Sequence, residues 1–106
     1  MEAKQLRSNL KIYSLEFHVL ALKEWNKLDG SIQVQFQKAL KKRLQEPKIP
    51  SAKLRGDLQN AYKIKLRDVG YRLVYQVIDQ RLVIVIVAIG RRDNEEAYLA
   101  AAKRIN

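Results

Sequence analysis

Residues 61–89 read AYKIKLRDVGYRLVYQVIDQRLVIVIVAI, and the changes of period within them decide the fold. Ala61 to Arg67 alternates, with Tyr62, Ile64 and Leu66 on one face and Lys63, Lys65 and Arg67 on the other, the pattern of a half-buried strand. Asp68 to Gly70 is a turn signal, with Gly70 free to take a positive φ. Tyr71 to Ile78 is the next strand, and Asp79-Gln80-Arg81 turns the chain into a third, Leu82 to Ile89, which Gly90 ends. That last run is apolar at every position, as expected of a central strand covered on both faces.

Upstream, Lys11 to Phe17 alternates, with Tyr13, Leu15 and Phe17 on one side, and predicts a first strand. From His18 to Leu28 the residues Leu22, Trp25 and Leu28 recur at helical spacing. Asp29-Gly30 breaks that helix, and Ser31 is a candidate N-cap for a second. Ile32, Phe36, Leu40 and Leu44, each four residues from the last, make the second helix's buried stripe. The two helices predict an antiparallel hairpin. Pro47 and Pro50 end helical structure, and a loop runs to Asn60. Downstream, Asp93 with Glu96 three residues later forms a possible capping box for a last helix reaching Ile105. The expected fold is α+β: a small antiparallel sheet of three meandering strands plus the N-terminal strand, packed against the helix hairpin, with a C-terminal helix. Residues 1–9 are expected to be an N-terminal extension and residues 10–106 a single domain.

The chain of 106 residues carries 21 Lys and Arg against 11 Asp and Glu, a net charge of +10. That excess attracts polyanions: nucleic acid first, then an acidic protein or an anionic membrane face. There is no cysteine, so disulfides and thiolate metal sites are excluded. The longest apolar run, Leu82 to Ile89, falls short of the ~20 residues needed to span a bilayer. Residues 1–9 lack the apolar centre of a signal peptide, so the expected location is cytoplasmic.

The charges on the strands point to a site. With an even turn at Asp68 to Gly70, Arg67 lies opposite Arg72, and Arg72 shares a face with Lys63 and Lys65. An odd register would place Arg72 beside Ile64 and Leu66, which want burial. Like charges across a hairpin are unfavourable unless an anion neutralises them, so the cationic face resembles a phosphate cradle. Arg91 and Arg92 follow the central strand, and Tyr98 lies one turn into the last helix. These segments could collect Lys63, Lys65, Arg72, Arg92 and Tyr98 on one concave surface suited to an RNA backbone with a base on the ring. Each residue also has a plainer role open to it. A charged strand face is often just solvated, Tyr98 shares a helical face with Ala102 and Ile105, and His18 stands alone without a catalytic partner. Paired carboxylates, a Ser–His–Asp arrangement, a metal-ligand cluster and a glycine-rich phosphate loop are all missing.

Four segments sharpen this. LKEWNKLD (Leu22 to Asp29), KLRG (Lys53 to Gly56), YKIKLRDVGYRLVYQVID (Tyr62 to Asp79) and GRRDNEEAYLAAAKRI (Gly90 to Ile105) closely resemble the RelE toxin family, in order along the chain. The resemblance implies a type II toxin of bacterial toxin–antitoxin systems, a metal-independent endoribonuclease that cleaves mRNA in the ribosomal A site and needs no cofactor. It implies a RelB-like antitoxin as partner, operator DNA met only through the antitoxin complex, and no membrane. The family's active positions fall on Lys63, Lys65, Arg72, Arg92 and Tyr98. Lys38, Lys41, Lys42, Lys48, Lys53, Arg55, Arg67 and Arg91 are the expected RNA- or ribosome-binding cations. Arg91 stands where lysine is expected. By the same resemblance either lysine would serve as base, Arg72 would clamp the phosphate, Arg92 would act on the leaving-group side and Tyr98 would position the nucleotide. The rival expectations are a ParE-like gyrase inhibitor on the same scaffold, whose members generally lack the lysine–arginine–tyrosine set, and a simple RNA-binding module.

Overall fold

A computed structural model describes residues 12–56 and 58–105 of the chain. The expected extension at 1–9, and Lys11 at the start of the first strand, lie outside the described residues. Strand β1 spans Ser14–Phe17, helix α1 Val19–Asn26 and helix α2 Gly30–Gln45. The meander follows as β2 (Ala61–Leu66), β3 (Tyr71–Ile78) and β4 (Val83–Arg91), and helix α3 covers Glu96–Ile105. Short 3-10 turns occupy Pro50–Ala52, Asp79–Arg81 and Asp93–Glu95.

The sheet has four strands in the order β1-β4-β3-β2. β2, β3 and β4 pair antiparallel, whereas β1 lies parallel to β4. The sheet is therefore mixed rather than wholly antiparallel. A parallel neighbour needs a long crossover, and here the helices and the first two meander strands supply it. β4 is central and buried along almost its whole length, as its unbroken apolar run predicts.

The two sheet faces carry separate cores. On one, Ala21 of α1 and Phe36 and Leu40 of α2 pack with Tyr62, Ile64, Leu73, Tyr75, Ile84 and Ile86. The stripe of Ile32, Phe36, Leu40 and Leu44 faces this core, as its spacing predicts. Phe36 and Tyr75 are fully buried, each worth about 1.5–3 kcal/mol of apolar transfer. The Tyr75 hydroxyl donates to the Pro47 carbonyl at 2.6 Å and accepts from Arg43 Nη1 at 2.8 Å, so its polar end is satisfied inside the core. On the other face, Val74, Val87 and Ala88 pack with Ala97 and Ala101 of α3. A bulge lets β4 serve both cores. Val74 pairs with Ala88 but Tyr75 with Ile86. Val87 is thus the extra residue, and it turns to the same side as Ala88.

Several local expectations are corrected. Asp29, not Ser31, is the N-cap of α2, and Ser31 Oγ donates to the Asp29 carboxylate at 2.8 Å. Leu22 is exposed rather than part of the α1 stripe, because Ala21 takes the buried position. Gly90 does not end β4, which runs on to Arg91. The capping box does not form: Glu96 Oε1 accepts from the Arg91 N–H at 3.0 Å instead, because residues 93–95 form a separate turn ahead of α3. The chain leaves this turn through Asn94 and Glu95, both in the left-handed region at φ 58° and 54°. The β2–β3 register differs by two residues from the expected one. Leu66 pairs with Tyr71 and Lys65, not Arg67, with Arg72, since the Gly70 N–H closes the turn on the Leu66 carbonyl at 2.9 Å. An even slip keeps every side chain on its face.

Gly90 is buried where α3 crosses β4. A Cβ there would stand 2.8 Å from Glu96 Cβ and 3.1 Å from the Ala97 backbone nitrogen. Gly90→Ala is expected to lower stability by about 1–3 kcal/mol, the usual cost of overpacking, read as a shift in urea midpoint with an unchanged m-value.

Candidate nucleic-acid interface

The cationic face is made by strand pairing. Lys63 and Lys65 project from β2 on the side opposite Tyr62, Ile64 and Leu66, and Arg72 of β3 stands directly across from Lys65. Tyr62 stacks on Tyr75, centroids 5.7 Å apart, and fixes this register from the buried face. Beyond β4 the Arg92 N–H donates to the Gly70 carbonyl at 2.8 Å. That bond ties the start of the α3 connection to the β2–β3 turn and brings Arg92 to the same corner. Lys65, Arg67, Arg72 and Arg92 line one hollow of about 360 Å³, floored by Leu66, Gly70 and Tyr71. Like charges facing one another are destabilising in water, and a bound polyanion would neutralise them.

Tyr98 joins through Arg72, whose guanidinium lies 5.2 Å from the ring centroid, in cation–π range. Half-buried Tyr98 packs beside the α3 core, so it has both the core role and the site position that its sequence left open. Burial raises its phenol above the ordinary value, with Arg72 opposing, so it remains protonated at neutral pH. Lys65 shifts the other way. The Lys63 charge lowers it most, followed by partial loss of water, Arg72 and Arg67. Crowding by like charges makes its neutral form more accessible than that of a free lysine.

The remaining predicted cations divide. Lys63 lines a second hollow of about 720 Å³ with Lys53 and Arg55, and the Lys53–Tyr62 bridge joins that loop to β2. Arg91 turns to Tyr71, donating Nη1 to its hydroxyl at 3.0 Å with the guanidinium 5.2 Å from the ring centroid. Lys48 is paired with Asp79 at the β3–β4 turn, the far end of β4 from Arg92. Lys38, Lys41 and Lys42 are exposed on α2, which packs on the opposite sheet face. Two supporting groups have no signal in the sequence. Arg43 donates to the Lys63 carbonyl at 3.1 Å, and Arg104 pairs with Glu24 across 80 residues of chain. Among the described residues no three His, Cys, Asp or Glu side chains converge in a metal-holding group, and no helix is long and apolar enough to cross a membrane.

Comparison with known proteins gives this arrangement company. Residues 15–96 match the family described as ParE toxin of the type II toxin–antitoxin system parDE. A RelE-like toxin protein of Escherichia coli is 55% identical over 93 residues, 88% of this chain and 97% of the relative. The mRNA interferase toxin RelE of Escherichia coli K12 is 48% identical over the same shares. A mutant Escherichia coli RelE in the free state superposes with a TM-score of 0.82 at 46% identity, covering 90% of this chain and 99% of that one. RelE in the intact Escherichia coli RelBE toxin–antitoxin complex gives 0.72 at 48% identity, covering 74% and 95%.

The charge crowding at Lys65 is directly measurable. In Lys63→Met the largest depressing charge is gone, so the Lys65 ammonium is expected to titrate at higher pH than in the unaltered protein. An NMR titration of the lysine side-chain ε-carbons reads the change.

Proposed function

We propose that this chain, which belongs to the RelE family of type II toxins, is an endoribonuclease that cleaves messenger RNA in the ribosomal A site and is neutralised by a RelB-like antitoxin. The observation that carries the reading is the hollow in which Lys65, Arg72 and Arg92 converge beside Tyr98. The toxin and its antitoxin partnership rest on relatives whose names state them. The ribosome and the message as targets follow from the mRNA interferase name and from the cationic corner.

The chemistry suits those side chains. RNA brings its own nucleophile, the 2′-hydroxyl, which attacks the adjacent phosphate and expels the 5′-oxygen. The protein must align the attack, move two protons and stabilise charge on the phosphoryl oxygens. Lys65, its pKa lowered by Lys63, takes the proton from the 2′-hydroxyl as general base. Arg72, fixed by its cross-strand place and by Tyr98, clamps the phosphate with its planar fork. Arg92, exposed at the rim, faces the leaving oxygen and stabilises its charge. The Tyr98 phenol stays protonated, so its part is to position and to donate rather than to remove a proton. Lys53, Arg55 and Lys63, lining the adjoining hollow, hold the flanking RNA backbone. In the rival reading, gyrase inhibition on the same scaffold, the message on the ribosome stays intact, and the cationic set would have no task.

Arg92→Ala is expected to slow single-turnover cleavage on programmed ribosomes by about 10²–10³-fold, the cost of losing one transition-state donor, with folding unchanged by circular dichroism. An unaltered rate would remove Arg92 from the reaction. Because Lys65 works in its neutral form, the rate should rise with pH through a pKa below that of a free lysine. The Lys63→Met substitution should move that rise to higher pH in the pH–rate profile.

A further inference from the structure

Helix α3 turns its smallest side chains toward the sheet. Its buried residues are Ala97 and Ala101, packed with Ala88 and Val87 of β4, while Tyr98 and Ile105 are only partly buried beside them, so the ridges that resist turning or sliding are shallow. At its first turn, Glu96 Oε1 accepts from the Arg91 N–H at 3.0 Å. That bond fixes one end of the helix. The second anchor is Arg104, whose Nη1 and Nη2 donate to the two Glu24 carboxylate oxygens at 2.9 and 2.7 Å. The two side chains are 14% and 29% exposed, so water screens this pair far less than a surface one.

The place of the pair on the sheet is informative. β1 pairs with β4 only as far as Phe17 opposite Ile86, so the β4 edge is open from Val87 onward. There Arg104 Nη1 donates to the Val87 carbonyl at 2.9 Å, and Glu24 Oε1 accepts from the Ile89 N–H at 3.0 Å. The two side chains stand in for the missing strand and join α1, β4 and α3 at one point. A bidentate guanidinium–carboxylate fork fixes orientation as well as distance. Tyr98 precedes Arg104 by six residues, roughly 9 Å along the helix axis, on the same rigid element.

We infer that Arg104, held by Glu24, is a positioning residue: it sets the rotation and depth of α3 and so keeps the Tyr98 ring against Arg72 at the cleavage site. The inference rests on the proposed ribonuclease reading for its effect on rate, but the placement of the ring is a property of the protein alone. It therefore has two separate readouts.

The kinetic experiment uses the full chain in excess over programmed ribosomes. In Arg104→Met the plateau rate is expected to fall roughly 10–100-fold, the scale of a small misplacement made far from the chemistry, with the half-saturating concentration unchanged. Arg104→Lys, which keeps the charge but not the fork, should recover part of the loss. A purely structural role would act through the folded fraction, raising the half-saturating concentration and leaving the plateau alone; that result overturns the inference. The second readout is the proton–proton contact between the Tyr98 ring and the Arg72 side chain by NMR, expected in the unaltered chain and lost in Arg104→Met. Its persistence in Arg104→Met also overturns the inference. An unaltered chain that leaves the message intact refutes the ribonuclease reading instead, and the NMR comparison still decides the placement.

Discussion

The β2–β3 hairpin is held together by its buried face and strained by its other face, and the site depends on that opposition. Stacking of Tyr62 on Tyr75 and packing of Ile64 opposite Leu73 hold the register. That register leaves Lys65 facing Arg72, with Lys63 and Arg67 beside them. A slip by one residue would carry these cations into the core and expose the tyrosines, so apolar burial on one side enforces charge crowding on the other. The cost is tolerable because the crowded groups face water. A bound polyanion would turn it to advantage.

The second sheet face solves a different problem. Helix α3 has to approach β4 closely enough for Tyr98 to reach a strand residue, and small side chains permit that: Gly90 and Ala88 on the strand, Ala97 and Ala101 on the helix. Closeness gained with alanine weakens rotational definition. Polar groups restore it at both ends, Glu96 on the Arg91 backbone and Arg104 on Glu24. The left-handed pair Asn94 and Glu95 turns the chain between strand and helix. A non-glycine residue in that region carries strain of order 1–3 kcal/mol, and here it lies between Arg92 and Tyr98, the two site residues the segment delivers.

Family membership and geometry support each other without being the same argument. The relatives name a toxin and an mRNA interferase. In the proposed reading, the geometry would let the fold do such work without a histidine at the site. Lys63, then Arg72 and Arg67, surround Lys65 with like charge, a field that both attracts a phosphate and lowers the pKa of Lys65. Arginine cannot be lowered in that way, whereas lysine can, so in the proposed reaction the mixture of the two types would separate proton transfer from charge stabilisation.

Alternation, helical spacing and turn residues in the sequence determined the strands of the meander, the α2 stripe, the central place of β4 and the shared face of Lys63, Lys65 and Arg72. All of these depend on neighbours within a few residues. The places of Arg92 just after the central strand and Tyr98 one turn into the last helix brought them to the same surface, and family resemblance then named them as active positions. Tertiary structure alone decided the rest. It set Lys65 rather than Arg67 opposite Arg72, because the Gly70–Leu66 bond shortens the ladder. It made β1 parallel and put the bulge at Val87, which an unbroken apolar run conceals. It also drew Lys48 to Asp79 and α2's lysines to the opposite face, leaving Lys53 and Arg55 beside Lys63. The Glu24–Arg104 pair is the extreme case: partners 80 residues apart carry no local pattern, and only the meeting of two helices at the end of β1 brings them within hydrogen-bond reach.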